Sequence, residues 1–230
     1  MPPITSIEMF LAHVRTCTSP QDGQALERRI TSWLAYYRAL QFVRERYGHI
    51  NSAYIEAINH YLHTRECVPR EMPLATITAQ RLRAEAEALH RQLEEKLACF
   101  ATFATGLLDS MADTLQCYFG LGWPRSDITH ARLTRDFPAL WRAHGLVLAP
   151  TALPTLMHAV HASLVALQPS FASCIDERPE ERLTAVSTAI NVYIAAMMQF
   201  FARNEEHSVL HNALADRRAP THSTDTRASP

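Results

Sequence analysis

Glycine is scarce in this chain, which contains only 6 glycines among 230 residues. Turn-rich β folds and the glycine-rich loops that hold phosphate groups need glycine at several positions, so the shortage argues against both. The signatures GxSxG, GxGxxG, HExxH and the Walker loop are also missing from the sequence. These absences favour a protein without catalytic activity.

Lysine is scarcer still, because Lys96 is the only one and arginine supplies the rest of the 22 basic residues. Such a bias is typical of the GC-rich genomes of bacteria and large DNA viruses. Selection against lysine-directed modification inside a host cell is the alternative explanation. Both explanations fit a viral protein or a protein of a host-associated bacterium.

The net charge and the cysteine pattern indicate which partners and which cellular compartment to expect. The formal net charge is −1, and the arginines are interleaved with acidic residues, so nucleic-acid binding is not expected. The five cysteines are odd in number, widely spaced and free of any CxxC pair. This pattern indicates free thiols in a reducing compartment, and so an intracellular protein.

The longest regular pattern runs from Thr76 to Phe119. Its apolar side chains recur at alternating steps of three and four residues, which predicts one long central helix. The first half, up to Lys96, also carries arginine and glutamate at the spacing of helix-surface ion pairs. The run from Leu97 to Leu108 has no charge, but Asp109 follows at once, so we expect a core helix and no membrane span.

The remaining chain predicts further helices, about seven in all, and no strand. One helix should end near Gly48, the next should run from Asn51 to Cys67, and Pro138 should kink or split a later one near Asp136. Other expected helices are Ile4–Cys17, one capped by Ser126, Leu153–Leu167, and one that begins at Pro179 and continues to Leu210 or Leu214. The predicted organisation is an N-terminal bundle (1–122), a C-terminal helical part (123–215) and a disordered tail (216–230).

Histidine is abundant, with 12 in the chain, and one group of residues has the spacing of metal ligands. Glu56, His60, His63 and Cys67 follow one another at steps of four, three and four, which places them on one face of a helix. Imidazole, thiolate and carboxylate groups are ligands for zinc and other transition metals. The pairs His158/His161 and His207/His211 could complete such a site. The alternative is that these histidines are only solvated or hydrogen-bonded.

Two shorter motifs resemble parts of known families. Glu87-x-x-His90 resembles the carboxylate–imidazole element of ferritin-like di-iron bundles, although those need a second such element and only one is present. His144, followed by Gly-Leu-Val-Leu-Ala-Pro and two helices, resembles the stretch after the proximal histidine of bacterial globin-coupled sensors. That resemblance implies haem ligation by His144. A histidine at a helix C-terminus, where the helix dipole favours its charge, is the alternative.

The sequence therefore predicts an all-α, non-enzymatic interaction or assembly protein, acting as a scaffold or adaptor, with no cofactor. Its mechanism would be docking of a helix face onto a protein partner or onto a second copy of the chain. The competing hypothesis is a haem- or metal-binding helical sensor or enzyme that uses His144 or the His60/His63 pair.

Overall fold

A computed structural model describes residues 3–17, 22–67, 73–124, 128–147, 152–167 and 179–208. Six α-helices account for nearly all of them: α1 (Pro3–Cys17), α2 (Asp22–Cys67), α3 (Pro73–Phe119), α4 (His130–Ala143), α5 (Ala152–Leu167) and α6 (Pro179–Arg203). A single 3₁₀ turn, Glu205–His207, follows α6. The described part of the chain contains no strand, so the predicted all-α class is confirmed, with six helices in place of seven.

The predicted helix end at Gly48 is wrong, because α2 continues through this residue for 46 residues in total. Glycine inside a helix costs only about 1 kcal/mol relative to alanine. The buried and half-buried side chains that face α3 keep their spacing across this point, at Val43, Tyr47, Ile50 and Tyr54. The free energy gained by this continuous contact outweighs the local cost of the glycine.

Helix α3 is continuous across Lys96 and ends at Phe119, as predicted, but begins at Pro73. Gly120 follows it with a φ of 63°, and the amide of Leu121 donates to the carbonyl of Gln116 at 3.1 Å. This left-handed residue is a common helix ending. The prediction had one long helix at the centre of the fold. The structure has two there, because α2, with 46 residues, is nearly as long as α3, with 47.

Helices α2 and α3 form an antiparallel pair along most of their length. Arg29 donates to Asp113 at 2.6 Å, and the ring of Tyr54 lies 5.7 Å from that of His90, in the same register. Between these contacts, Tyr36 lies against Gly106. A Cβ atom at position 106 would be 2.7 Å from Cε1 of Tyr36, so any larger residue there would require the ring of Tyr36 to move.

One end of this pair is enclosed by the other four helices, and we call this part the body. Side chains from all six helices form one buried cluster there, to which both predicted parts of the chain contribute. Its centre holds an aromatic cluster: Phe10, Trp33, Tyr118, Phe119, Phe200 and Phe201. By length and composition alone, α6 could cross a membrane; its apolar residues Ile190 and Met197 are buried in the body, whereas Val192 is 47% exposed.

The other end of the pair is a two-helix arm, which consists of residues 52–66 of α2 and 76–92 of α3. Within these ranges only Ala57 and Ala86 are buried. The residues between the two helices follow steps of three and four, as in a coiled coil. At about 1.5 Å per residue, the arm is roughly 25 Å long.

The C-terminal helices depart from the prediction in two places. Pro138 lies inside α4, yet the helix begins after its N-cap Thr129 and runs on to Ala143, so it is not split near Asp136. Helix α6 ends at Arg203, short of the predicted Leu210 or Leu214, both of which lie outside the described residues. Ser126 and the predicted tail, 216–230, also lie outside them.

Asn204 explains why α6 ends where it does. Its buried side chain accepts a hydrogen bond from the amide of Val147 at 2.5 Å and donates to the carbonyl of Val147 at 3.0 Å. It also donates to the carbonyl of Phe200 at 2.9 Å. One side chain therefore closes the helix and fixes the segment that follows α4.

We expect Asn204→Ala to lower the free energy of unfolding by about 2 kcal/mol, because the Val147 amide and carbonyl lose their partner. Urea denaturation measures this change, and hydrogen exchange should show lost protection of the Val147 amide. The matched control is Asn51→Ala, which removes only an exposed hydrogen bond to Glu180. An equal effect of the two changes would contradict the assigned role of Asn204.

Candidate functional site

The arm carries an apolar surface that its own two helices do not cover. Five residues of α2 occupy positions i, i+1, i+4, i+7 and i+8, which form one continuous stripe along a helix. We call this set the arm stripe: Tyr54, Ile55, Ile58, Tyr61 and Leu62. Ile55 is 50% exposed and Leu62 is 43% exposed, while the other three are half-buried. Large exposed side chains at regular helical spacing are typical of a docking face.

Helix α3 supplies the polar border of this surface. Tyr54, Ile58 and Tyr61 line an open groove of about 400 Å³ together with residues of α3: Arg83, Ala86, Glu87, His90 and Arg91. Arg83 donates to Glu87 at 2.8 Å along the helix surface. The groove therefore has an apolar floor and a border with both signs of charge, as expected of a surface that binds another helix.

The metal ligands predicted on α2 lie on this arm. Glu56, His60 and His63 are all exposed, and the side chain of Cys67 lies outside the described part. Metal binding by this set stays a prediction. Of the histidine pairs expected to complete it, His158 is exposed and His161 half-buried on α5, whereas His211 falls outside the described residues.

The two family-like motifs are both at the surface. His144 is exposed at the C-terminus of α4, and its backbone amide donates to the carbonyl of Leu140 at 3.0 Å. Its position matches the helix-terminus alternative, while haem ligation stays a prediction. Glu87 and His90 are exposed and engaged in the groove, Glu87 with Arg83 and His90 with Glu94 at 3.5 Å.

The most buried of the described histidines is one that the sequence analysis did not identify. His130, the first residue of α4, is 2% exposed, and its amide donates to the Asp109 carboxylate at 2.8 Å. Burial, aided by the nearby His161 and His158, lowers the pKa of its imidazole to about 4. The ring lies edge-on to that of Tyr193, 5.3 Å away. His130 is therefore neutral at physiological pH.

A separate group of polar side chains lies where α1 meets the end of α6. His13 and Cys17, one turn apart on α1, approach Glu205 of the 3₁₀ turn, and all three are half-buried. Nε2 of His13 is 3.0 Å from Oε1 of Glu205, and Sγ of Cys17 is 3.8 Å from the ring nitrogens of His13. Among the described residues, only these three bring metal-ligand atoms together in this way.

The sequence offered a partial signal for this group. A histidine and a cysteine four residues apart on a helix face the same side, so the pair at 13 and 17 could have been noticed. Glu205 could not, because it is 192 positions away from His13 and only the tertiary fold brings it close.

Comparison with known proteins adds no assignment: no protein-family model, curated protein or solved structure matches this chain.

Proposed function

We propose that this chain is a non-enzymatic assembly protein that pairs with a second copy of itself through the arm. The observation that supports this proposal is the arm stripe: Ile55 and Leu62 are exposed, and the other three residues are only half-buried along the groove beside α3. In a two-helix arm, apolar side chains outside the contact between the helices stay exposed unless another chain covers them.

A two-fold arrangement fits the order of residues along the stripe. If two arms pack antiparallel with the symmetry axis beside Ile58, Tyr54 of one copy faces Leu62 of the other, and Ile55 faces Tyr61. Every large residue of the stripe then meets an apolar residue. Such a self-complementary contact is what a symmetric dimer requires.

The charges on α3 fit the same axis. By the register of the helix pair, Ile58 lies level with positions 84 to 86 of α3, which fall between Arg83 and Glu87. Arg83 of one copy therefore faces Glu87 of the other on both sides of the axis. This charge complementarity favours a second copy over an unrelated helix and specifies the antiparallel orientation.

The size of the arm sets the expected strength of the dimer. A face roughly 25 Å long and two helices wide buries less than the roughly 800 Å² per partner of a standard stable interface. We therefore expect a dissociation constant on the order of 10 μM, so that the fraction of chains in the dimer rises with protein concentration.

Light scattering on the full chain tests the proposal. We expect the mass to rise from 26.0 kDa toward twice that value as the concentration passes through the micromolar range. The double variant Ile55→Asp/Leu62→Asp should remain monomeric, because each dimer would bury four unpaired carboxylates. The matched control, Val165→Asp/Val192→Asp, changes two valines of similar exposure, 48% and 47%, and should dimerise normally.

Exchanging the charges of Arg83 and Glu87 tests the antiparallel orientation of the two arms. Arg83→Glu should weaken the dimer about tenfold or more, because it places two like-charged pairs across the axis. Adding Glu87→Arg should restore the original affinity. A mass that stays monomeric at about 100 μM, or a dimer that the stripe variant leaves intact, would overturn the proposal. A monomer that instead binds a foreign helix through the stripe would overturn it as well.

A further inference from the structure

The group formed by His13, Cys17 and Glu205 has the composition of a transition-metal site. It combines an imidazole, a thiol and a carboxylate, and their ligand atoms all lie within 4.8 Å of one another. Hard cations such as Mg²⁺ and Ca²⁺ prefer oxygen ligands, whereas a mixed nitrogen, sulfur and oxygen set suits Zn²⁺. The chemistry of the donors therefore selects the class of metal.

The distances agree with a tetrahedral ion. With bonds of about 2.0 to 2.3 Å, the ligand atoms of such an ion lie roughly 3.3 to 3.7 Å apart. The observed separations, 3.0 Å from His13 to Glu205 and 3.8 Å from Cys17 to His13, fall just on either side of this range. The third separation, between Cys17 and Glu205, is no more than 4.8 Å.

Neighbouring hydroxyl groups bind the backbone that carries two of the ligands. The hydroxyl of Thr16 donates to the carbonyl of His13 at 2.7 Å, and the hydroxyl of Ser208 donates to the carbonyl of Glu205 at 2.6 Å. Tyr118, whose hydroxyl is hydrogen-bonded to Ser208, lies near Glu205 and Cys17, and its burial raises the pKa of this hydroxyl to about 12. These contacts fix the backbone beside His13 and Glu205.

The surroundings leave one side of the group open. His13 and Glu205 line a cavity of about 590 Å³, together with Tyr118 and apolar residues that include Met9, Phe10 and Met198. A three-ligand ion at this place would keep a fourth position for water or for a small ligand in the cavity. Zinc sites with three protein ligands and an open position are the type found in catalysis, whereas closed sites are structural.

We propose that His13, Cys17 and Glu205 bind one Zn²⁺ ion, with the fourth position open toward this cavity. The ion would join α1 to the 3₁₀ turn after α6, so it would stabilise the body. This site lies in the body and is independent of pairing through the arm.

Titration of the full chain with Co²⁺, a spectroscopic substitute for Zn²⁺, tests the site directly. We expect one ion per chain and a thiolate-to-cobalt charge-transfer band, which Zn²⁺ should remove by displacement. Because a ligand that binds only the folded chain stabilises it, Zn²⁺ should also raise the melting temperature. Circular dichroism of each variant shows whether its helices are intact.

The variants Cys17→Ser, His13→Gln and Glu205→Gln should each weaken binding by about tenfold or more, and Cys17→Ser should also abolish the charge-transfer band. Cys99→Ser and Glu206→Gln are the matched controls, since they change another described cysteine and the adjacent glutamate without touching the group. Absence of the band in the unmodified chain would overturn the proposal. Binding that survives Cys17→Ser but is lost in His60→Gln/His63→Gln would overturn it too, and would place the metal on the arm.

Discussion

Replacing Phe201 with alanine is expected to lower the free energy of unfolding by about 4 kcal/mol, a large fraction of the stability of a typical domain. Phe201 is 1% exposed, and its ring stacks on Phe10 at 4.9 Å and meets Tyr118 edge-on at 4.8 Å. It also lies near Trp33 and Phe119. Its removal leaves a cavity that touches α1, α2, α3 and α6 together, so the surrounding helices cannot close it by a local shift.

Urea denaturation followed by circular dichroism measures this effect as a lower midpoint with an unchanged slope. The matched control is Phe42→Ala, because Phe42 is a phenylalanine of α2 that is 58% exposed. The control should change stability by no more than about 0.5 kcal/mol. Similar losses in the two variants would show that Phe201 does not connect the helices of the body.

Acidification is expected to destabilise the fold through His130. In the unfolded chain this imidazole takes up a proton near pH 6.5, whereas in the folded chain its pKa is about 4. The unfolded state therefore binds more protons throughout this window, and stability falls as the pH is lowered from about 6.5 to about 4. The contribution of His130 to this loss is up to about 3 kcal/mol.

The variant His130→Phe should lose this part of the pH dependence. The groups that face His130 are His158 and His161 on α5, Tyr193 on α6 and the Asp109 carboxylate on α3. All of them remain in the variant, so the difference between the two pH curves isolates His130. As the pH is lowered from 8 to 4, the unfolding free energy of the unmodified chain should fall by up to about 3 kcal/mol more than that of the variant. Parallel curves would contradict a buried, neutral imidazole.

The spacing of apolar residues was enough to predict most of the helices. The stripe of α3 from Leu82 to Tyr118 is the observed inner face, and the predicted helices Ile4–Cys17 and Leu153–Leu167 agree with α1 and α5 to within one residue. The errors occurred where a local signal competed with tertiary packing. Gly48 and Pro138 both signal helix ends, with costs of about 1 kcal/mol for glycine and about 3 kcal/mol or more for proline, and the burial of neighbouring residues such as Tyr47 and Phe137 offsets these costs.

The exposed surfaces and long-range contacts were harder to predict, for a different physical reason. Ile55 and Leu62 have the spacing of core residues, and only the number of helices around them shows that they are exposed. Asn204 gives no sequence signal, because its role depends on the backbone of Val147. The spacing of apolar residues shows which of them share a helix face, but it does not show which other residues that face contacts.

The close approach of Tyr36 to Gly106 has a consequence for the geometry of a dimer. This contact lies between α2 and α3 inside the body, and the arm is the continuation of the same two helices. A larger side chain at position 106 must displace the ring of Tyr36, and any part of this displacement that the helices take up would change the angle at which the arm leaves the body. In a pair of chains joined by their arms, such a change in each chain would alter the angle between the two bodies, far from the contact between the arms.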